Sequence, residues 1–184
     1  ADISRGDTWW QQTADTLGMQ LLVNNSWSGS FIVKDPALGN NTEYGAAAYK
    51  DRCVNLHIGN QNPDMIAVFL GTNDIGNYTT TKIGSKADID TDTERNALFT
   101  SVSSFATPTT SIAAYYIMIS RMVENYPDAE IYCMLPTIWQ SEMASGYTTA
   151  LNTFNEGVRY LVSYFAGQGL GALIVGVITA TGLI

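Results

Sequence analysis

The sequence predicts an α/β domain with a mainly parallel sheet, on three observations. Segments with apolar residues at helical spacing alternate with short, β-branched-rich apolar runs. One run, residues 65–70 (Met-Ile-Ala-Val-Phe-Leu), is apolar throughout, the pattern of a strand covered on both faces by helices. The runs open into loops rich in Gly, Asn or Pro, the residues that end a strand and turn the chain. At 184 residues the chain is long enough for one well-cored domain and too short for two comfortable ones.

Taken in order, the first element is a helix starting at Trp9. Trp10, Ala14 and Leu17 share one face, Thr8 or Asp7 is the N-cap, and Gly18 is the stop. Residues 19–23 then read as a buried strand that runs into the polar loop Asn24-Asn25-Ser26-Trp27-Ser28-Gly29-Ser30. Residues 34–43 read as loop, and residues 44–56 as a helix with Ala48, Cys53 and Leu56 facing inward. A turn from Gly59 to Pro63 leads into the strand at residues 65–70. Residues 75–107 form a long polar insertion. It carries Asp88, Asp90, Asp92 and Glu94, a spacing that suggests calcium, but Thr93 stands where a calcium loop of the helix–loop–helix type needs glycine, so a solvated acidic loop is expected and no metal. Pro108 opens a helix that runs to about Asn125. A strand at 129–135, a helix at 148–167 and a last strand at 171–178 complete an alternating helix–strand order.

Composition narrows the function classes. A net charge of −8 and a pI near 4.4, with no local cluster of Lys and Arg, oppose binding to a phosphate backbone, so no nucleic-acid partner is expected. The longest apolar stretch, residues 170–178, is far shorter than the roughly 20 residues of a membrane-spanning helix, and no membrane partner is expected. Cys53 and Cys133 show no ligand-like spacing and read as two unpaired core thiols. Few lysines and many Asn, Thr, Ser, Tyr and Trp residues suit a secreted or extracellular protein. Ala1-Asp2 then reads either as a mature end after leader cleavage or as a chain boundary set otherwise.

Ligands of open parallel sheets bind beyond the carboxyl ends of the strands. Three loops stand there: residues 25–29, Gly71-Thr72-Asn73-Asp74, and Pro136-Thr137-Ile138-Trp139. A lone Gly-x-Asn-Asp is an ordinary turn, because Asn and Asp form turns and Gly ends strands. Here it follows a buried strand and lies downstream of an Asn-rich loop bearing Ser26-Trp27-Ser28-Gly29. In that combination the chain resembles the SGNH (GDSL-type) serine esterases. Residues 62–74 resemble the family's third block, residues 9–30 its first helix, second strand and second block, and residues 128–139 the strand leading into its fourth.

The resemblance implies a three-layer α/β/α, flavodoxin-like sheet and a hydrolase of carboxylic esters, including acetylated carbohydrates. It also implies an oxyanion hole made by the backbone N–H of Gly29 and the side-chain amide of Asn73. Physical chemistry agrees with those residue types. Glycine lets the backbone approach a reacting carbonyl, and an amide N–H aimed at a developing alkoxide stabilises the transition state by about 3 kcal/mol. Gly71 and Asp74 are expected to support the turn rather than react. Trp27 and Trp139 are expected either to line an acyl or sugar site or simply to pack.

The family takes its serine from a Gly-Asp-Ser block after the first strand and its base from an Asp-x-x-His block beyond the last. Gly6-Asp7-Thr8 imitates the first block, but it abuts the Trp9 helix with no apolar run before it and reads as a helix N-cap; a threonine nucleophile is the remote alternative. The sole histidine, His57, is expected at the end of the sheet away from the site. Residues 1–184 are therefore expected to form a single domain incomplete at both ends, with nucleophile and base outside it and the first strand missing. That strand's slot lies between residues 19–23 and 65–70, and something must fill it: another part of the polypeptide, or a strand from a neighbouring copy such as residues 179–184. The alternative function is a non-catalytic, self-assembling extracellular module on the same fold. A flavodoxin-like nucleotide or flavin binder comes last, for want of a glycine-rich phosphate loop, so no cofactor is expected.

Overall fold

The apolar run at Met65 forms strand β1 (Met65–Phe69), and Glu130–Met134 forms β2 beside it. They pair in parallel, Met65 opposite Glu130 and Phe69 opposite Met134. A computed structural model of the chain describes residues 6, 8–33, 46–77, 80–102, 110–137 and 146–168. Around the strand pair stand α1 (Trp9–Leu17), α2 (Lys50–Val54), α3 (Thr72–Asn77), α4 (Thr80–Ile83), a 3-10 turn (Lys86–Ile89), α5 (Asp92–Val102), α6 (Ser111–Asn125) and α7 (Tyr147–Gly167). The chain is therefore a mixed α/β domain, as predicted. Parallel strands need a long crossover, and α3 to α6 supply it.

The core is built on α6 and α7. Every residue of α6 from Ser111 to Ile119 is buried, so this stretch is enclosed on all sides and central, with the Thr110 hydroxyl accepting from the Ala113 N–H at its start. On α7, buried Ala150, Leu151, Phe154, Val158, Leu161 and Val162 repeat at helical spacing and leave the other face to water. Gly157 lies in the middle of α7 because α6 comes close there: a Cβ on it would sit 2.5 Å from Cδ1 of Ile112. Ile66 and Val68 of β1 and Ile131 and Cys133 of β2 join the same apolar cluster. Cys53 and Cys133 are both buried, and neither forms a disulfide among the described residues.

Several local expectations are corrected. Residues 19–23 are not a strand: they take no ladder partner among the described residues, and Met19 is exposed. A strand needs a neighbour's backbone, which an apolar run cannot itself provide. Among the described residues β1 is covered on one face, not two. Its residues alternate exposed and buried, Phe69 being 50% and Met65 37% exposed, and Trp9 of α1 meets the open face edge-on at Phe69. Of the expected helix at 44–56 the described residues form only α2, because residues 46–48 instead pair with Phe31 and Ile32.

The described part of the polar insertion at 75–107 is largely helical rather than loop, because its charges cap and brace short helices. Asp88 accepts from the Ser85 N–H at 3.1 Å and the Thr110 hydroxyl at 2.8 Å, Asp90 accepts from the Tyr160 hydroxyl, and Arg95 donates to Asp92 and to the carbonyls of Ile89 and Asp90. No group of three potential ligands is close enough to hold a metal ion among the described residues. Among them, too, no helix is long and apolar enough to cross a membrane. The expected strand at 171–178 lies outside the described residues.

Candidate functional site

At the carboxyl end of β1 the chain turns abruptly into α3, and Gly71 is the residue that permits it. Its φ is +112°, a conformation side-chain-bearing residues rarely adopt, and a Cβ there would lie 2.6 Å from two ring carbons of Phe154. Helix α3 therefore begins at Thr72, and its first turn carries Asn73 and Asp74 toward residues 30–32. The Asn73 amide donates to the Ser30 carbonyl at 2.9 Å. The Asp74 carboxylate accepts the Ile32 N–H at 3.1 and 3.3 Å on its two oxygens and the Ser111 hydroxyl at 2.8 Å. Both were expected at the turn, but Asp74 is more than a turn former: it is 0% exposed and bonded across the fold.

The loop that meets them is itself shaped by turns. Asn24 accepts the Ser26 N–H through its side chain, and the Ser30 N–H reaches the Trp27 carbonyl. Gly29, inside that turn, has φ +73° with open space where a Cβ would stand, so conformation rather than crowding requires glycine. Downstream, the Phe31 and Ile32 carbonyls accept from the N–H groups of Ala47 and Ala48. Gly29 is exposed and next in sequence to the residue that Asn73 holds.

A residue missed by sequence reasoning braces the loop from behind. Arg52 of α2 is buried, donates to the Ser30 hydroxyl and to the Asn25 carbonyl at 3.0 Å, and its own carbonyl accepts from the Asn25 amide at 2.7 Å. Burial lowers its pKa, with Cys53 acting in the opposite direction. Its one local signal was an arginine beside Cys53 on the inner side of a predicted helix. Ser111, the other missed residue, carried no signal except its place at a helix start.

Asp74 is the one strongly perturbed carboxylate of this region. Burial pushes its pKa up to about 6, while hydrogen bonds from Ser111 and the backbone of Ile32 and Val33 pull the other way. The neighbouring Asn73 amide has a second N–H beyond the one given to Ser30, so the site can present a neutral donor beside a glycine backbone.

The remaining candidates stand apart or out of view. Trp27, on the same loop, is 49% exposed. Trp139 lies outside the described residues, as does Asp7, while Thr8 is the N-cap of α1 without a side-chain cap bond. His57 follows α2, its Nδ1 3.2 Å from the hydroxyl of Tyr126. That hydroxyl accepts the Leu56 N–H, donates to the Val54 carbonyl, and belongs to the residue that caps the carboxyl end of α6. His57 is thus part of a bracing network before the strands begin.

Neither the curated proteins nor the solved structures contain a significant match to the chain. A family model does match it, that of the GDSL-like lipases/acylhydrolases, over residues 2–162, which include β1, the Gly71–Asp74 turn, residues 24–30 and β2. The turn after β1 and the loop it binds are thus part of a family pattern that spans most of the sequence, and the chain belongs to the GDSL-like lipase/acylhydrolase family.

Proposed function

We propose that this hydrolase-family domain supplies the charge-stabilising half of an ester-hydrolysing site, with Gly29 and Asn73 as its oxyanion hole. The observation that carries the reading is the 2.9 Å bond from Asn73 to the Ser30 carbonyl, which sets the amide against the residue after Gly29. A serine attacks the ester carbonyl, its proton passing to a histidine. Charge then gathers on the carbonyl oxygen, and in this reading the second Asn73 N–H and the Gly29 N–H receive it. Breakdown expels the alcohol, protonated by the same histidine, and water releases the acid in a second round. This chemistry needs no metal or organic cofactor. The sequence's one histidine is engaged with Tyr126, so in this reading it is not the base.

The substrate class is a carboxylic ester, with an acetylated carbohydrate favoured by the exposed indole of Trp27 on the loop that carries Gly29. Such a substrate and the lysine-poor composition suit a secreted or extracellular setting. A polypeptide uniting residues 1–184 with a Gly-Asp-Ser block and an Asp-x-x-His block is expected to hydrolyse p-nitrophenyl acetate, and Asn73→Ala to slow it sharply. Turnover indifferent to that change would end the assignment.

A second reading, a non-catalytic module that self-assembles by strand complementation, is favoured by the edge of β1 facing away from β2, which takes no partner among the described residues. Size-exclusion chromatography of the 184-residue chain tests it: concentration-dependent oligomers favour the module, and a chain that stays monomeric at every concentration contradicts it.

A further inference from the structure

We propose that Asp74 is the positioning residue of the Gly29–Asn73 half-site, holding residues 30–32 in place through its bonds to the Ile32 N–H and the Ser111 hydroxyl. This rests on the oxyanion reading above for its functional meaning, though not for its geometry. Asn73 and Asp74 are consecutive, yet they grip the loop at two points, the Ser30 carbonyl and the Ile32 N–H. Two bonds of opposite polarity, two residues apart, fix both the position and the rotation of the segment that follows Gly29. Neither alone would do so.

The anchor behind the grip is rigid. Ser111 opens α6, the most buried helix of the fold, so the carboxylate ties the loop directly to the core. Arg52, in turn, holds the Ser30 hydroxyl and the Asn25 carbonyl. Residues 25–32 are thus bound between a buried cation and a buried carboxylate that reach different atoms of the same loop.

The grip depends on charge. An ionised Asp74 offers both oxygens to the Ile32 N–H, whereas a protonated one spends an oxygen on its own proton and loses half of that acceptor. Burial raises the carboxyl to about 6, which brings this change within reach of mild acid. The groups around it leave Asp74 as the titrating element. Residues 72–77 of α3 and residues 30–33 of the loop contain no other titratable side chain. Arg52 stands behind Ser30, and Asp88 binds the hydroxyl of Thr110, the neighbour of Ser111. Further along α6, burial holds the Tyr115 hydroxyl well above its usual range. From α7, Phe154 faces Gly71, and Glu156 lies exposed beside Lys86.

The test follows backbone amides of the 184-residue chain by 1H–15N spectroscopy from about pH 4 to about pH 8. The Ile32 amide shift is expected to show one titration step with a midpoint of about 6, with Phe154 and Val158 of α7 unchanged. Asp74→Asn should abolish the step, and Ser111→Ala should move its midpoint upward, because the hydroxyl stabilises the charged form. An Ile32 amide that is flat across this range, or a step that survives Asp74→Asn, overturns the proposal. The wild-type titration decides even where a variant fails to fold. No turnover is needed, so an Ile32 step found together with an esterase rate indifferent to Asn73→Ala would overturn the oxyanion reading alone.

Discussion

Replacing Gly71 with alanine introduces one methyl group at the point where β1 becomes α3, and its cost can be worked from two independent sources. The first is conformation: φ is +112°, and holding a residue with a Cβ in such a sparsely populated region costs on the order of 1–3 kcal/mol. The second is space. The new Cβ would stand 2.6 Å from Cε1 and Cζ of Phe154, about an ångström inside ordinary contact. Phe154 cannot yield cheaply, being 0% exposed and set edge-on to Tyr115 at 6.0 Å. Overpacking of that kind costs roughly 1–3 kcal/mol, so the sum is about 4 kcal/mol, a large part of an ordinary domain's stability. Urea unfolding followed by circular dichroism measures it. Phe154→Leu in the Gly71→Ala background should recover the steric part, about 1–2 kcal/mol, but not the conformational part, giving a favourable coupling in the double-mutant cycle. A loss under about 1 kcal/mol, or no coupling to position 154, would refute the account of why glycine stands here.

Two further predictions concern stability. Asp74 binds its proton more tightly in the native state than in the unfolded chain, so stability should fall as pH rises from about 4 to about 6, by about 3 kcal/mol in all, and stay level above. Asp74→Asn removes that slope, so the variant should gain on the wild type by about that amount between acid and neutral pH in urea titrations; a constant difference contradicts it. Tyr126→Phe leaves the Leu56 N–H and the Val54 carbonyl without their hydroxyl partner and should cost about 1–3 kcal/mol, and a loss below about 0.5 kcal/mol in the same assay would remove the bracing role assigned to that hydroxyl.

What was legible in the sequence was local. The β1 and β2 runs, the Gly18 stop, the helix to Asn125 and the striped α7 announce themselves by period and punctuation within a few residues. The Gly71–Asp74 motif was legible as a site because it follows such a run. The misread parts depend on distant partners. The acidic residues between 75 and 107 look like solvent-exposed loop until Asp88 is seen to bind Thr110 and Asp90 to receive Tyr160. Residues 19–23 have the apolar character of a strand, but pairing is a property of two segments. Arg52 meets Asn25 and Ser30 across more than twenty residues, and no spacing rule connects them. Asp74 was read as a turn former because its acceptors' partners, Ile32 and Ser111, lie far away on either side in sequence.

The central claim is that Asn73, set beside Gly29 by its bond to Ser30, stabilises negative charge in the transition state of ester hydrolysis. Its most direct test is the kcat and KM of Asn73→Ala for p-nitrophenyl acetate in a polypeptide that supplies the serine and histidine blocks. The account predicts a fall in kcat of about 100- to 1000-fold, roughly 3–4 kcal/mol, with KM little changed, because the lost donor acts only when charge develops. A variant whose kcat equals that of the wild type would contradict it.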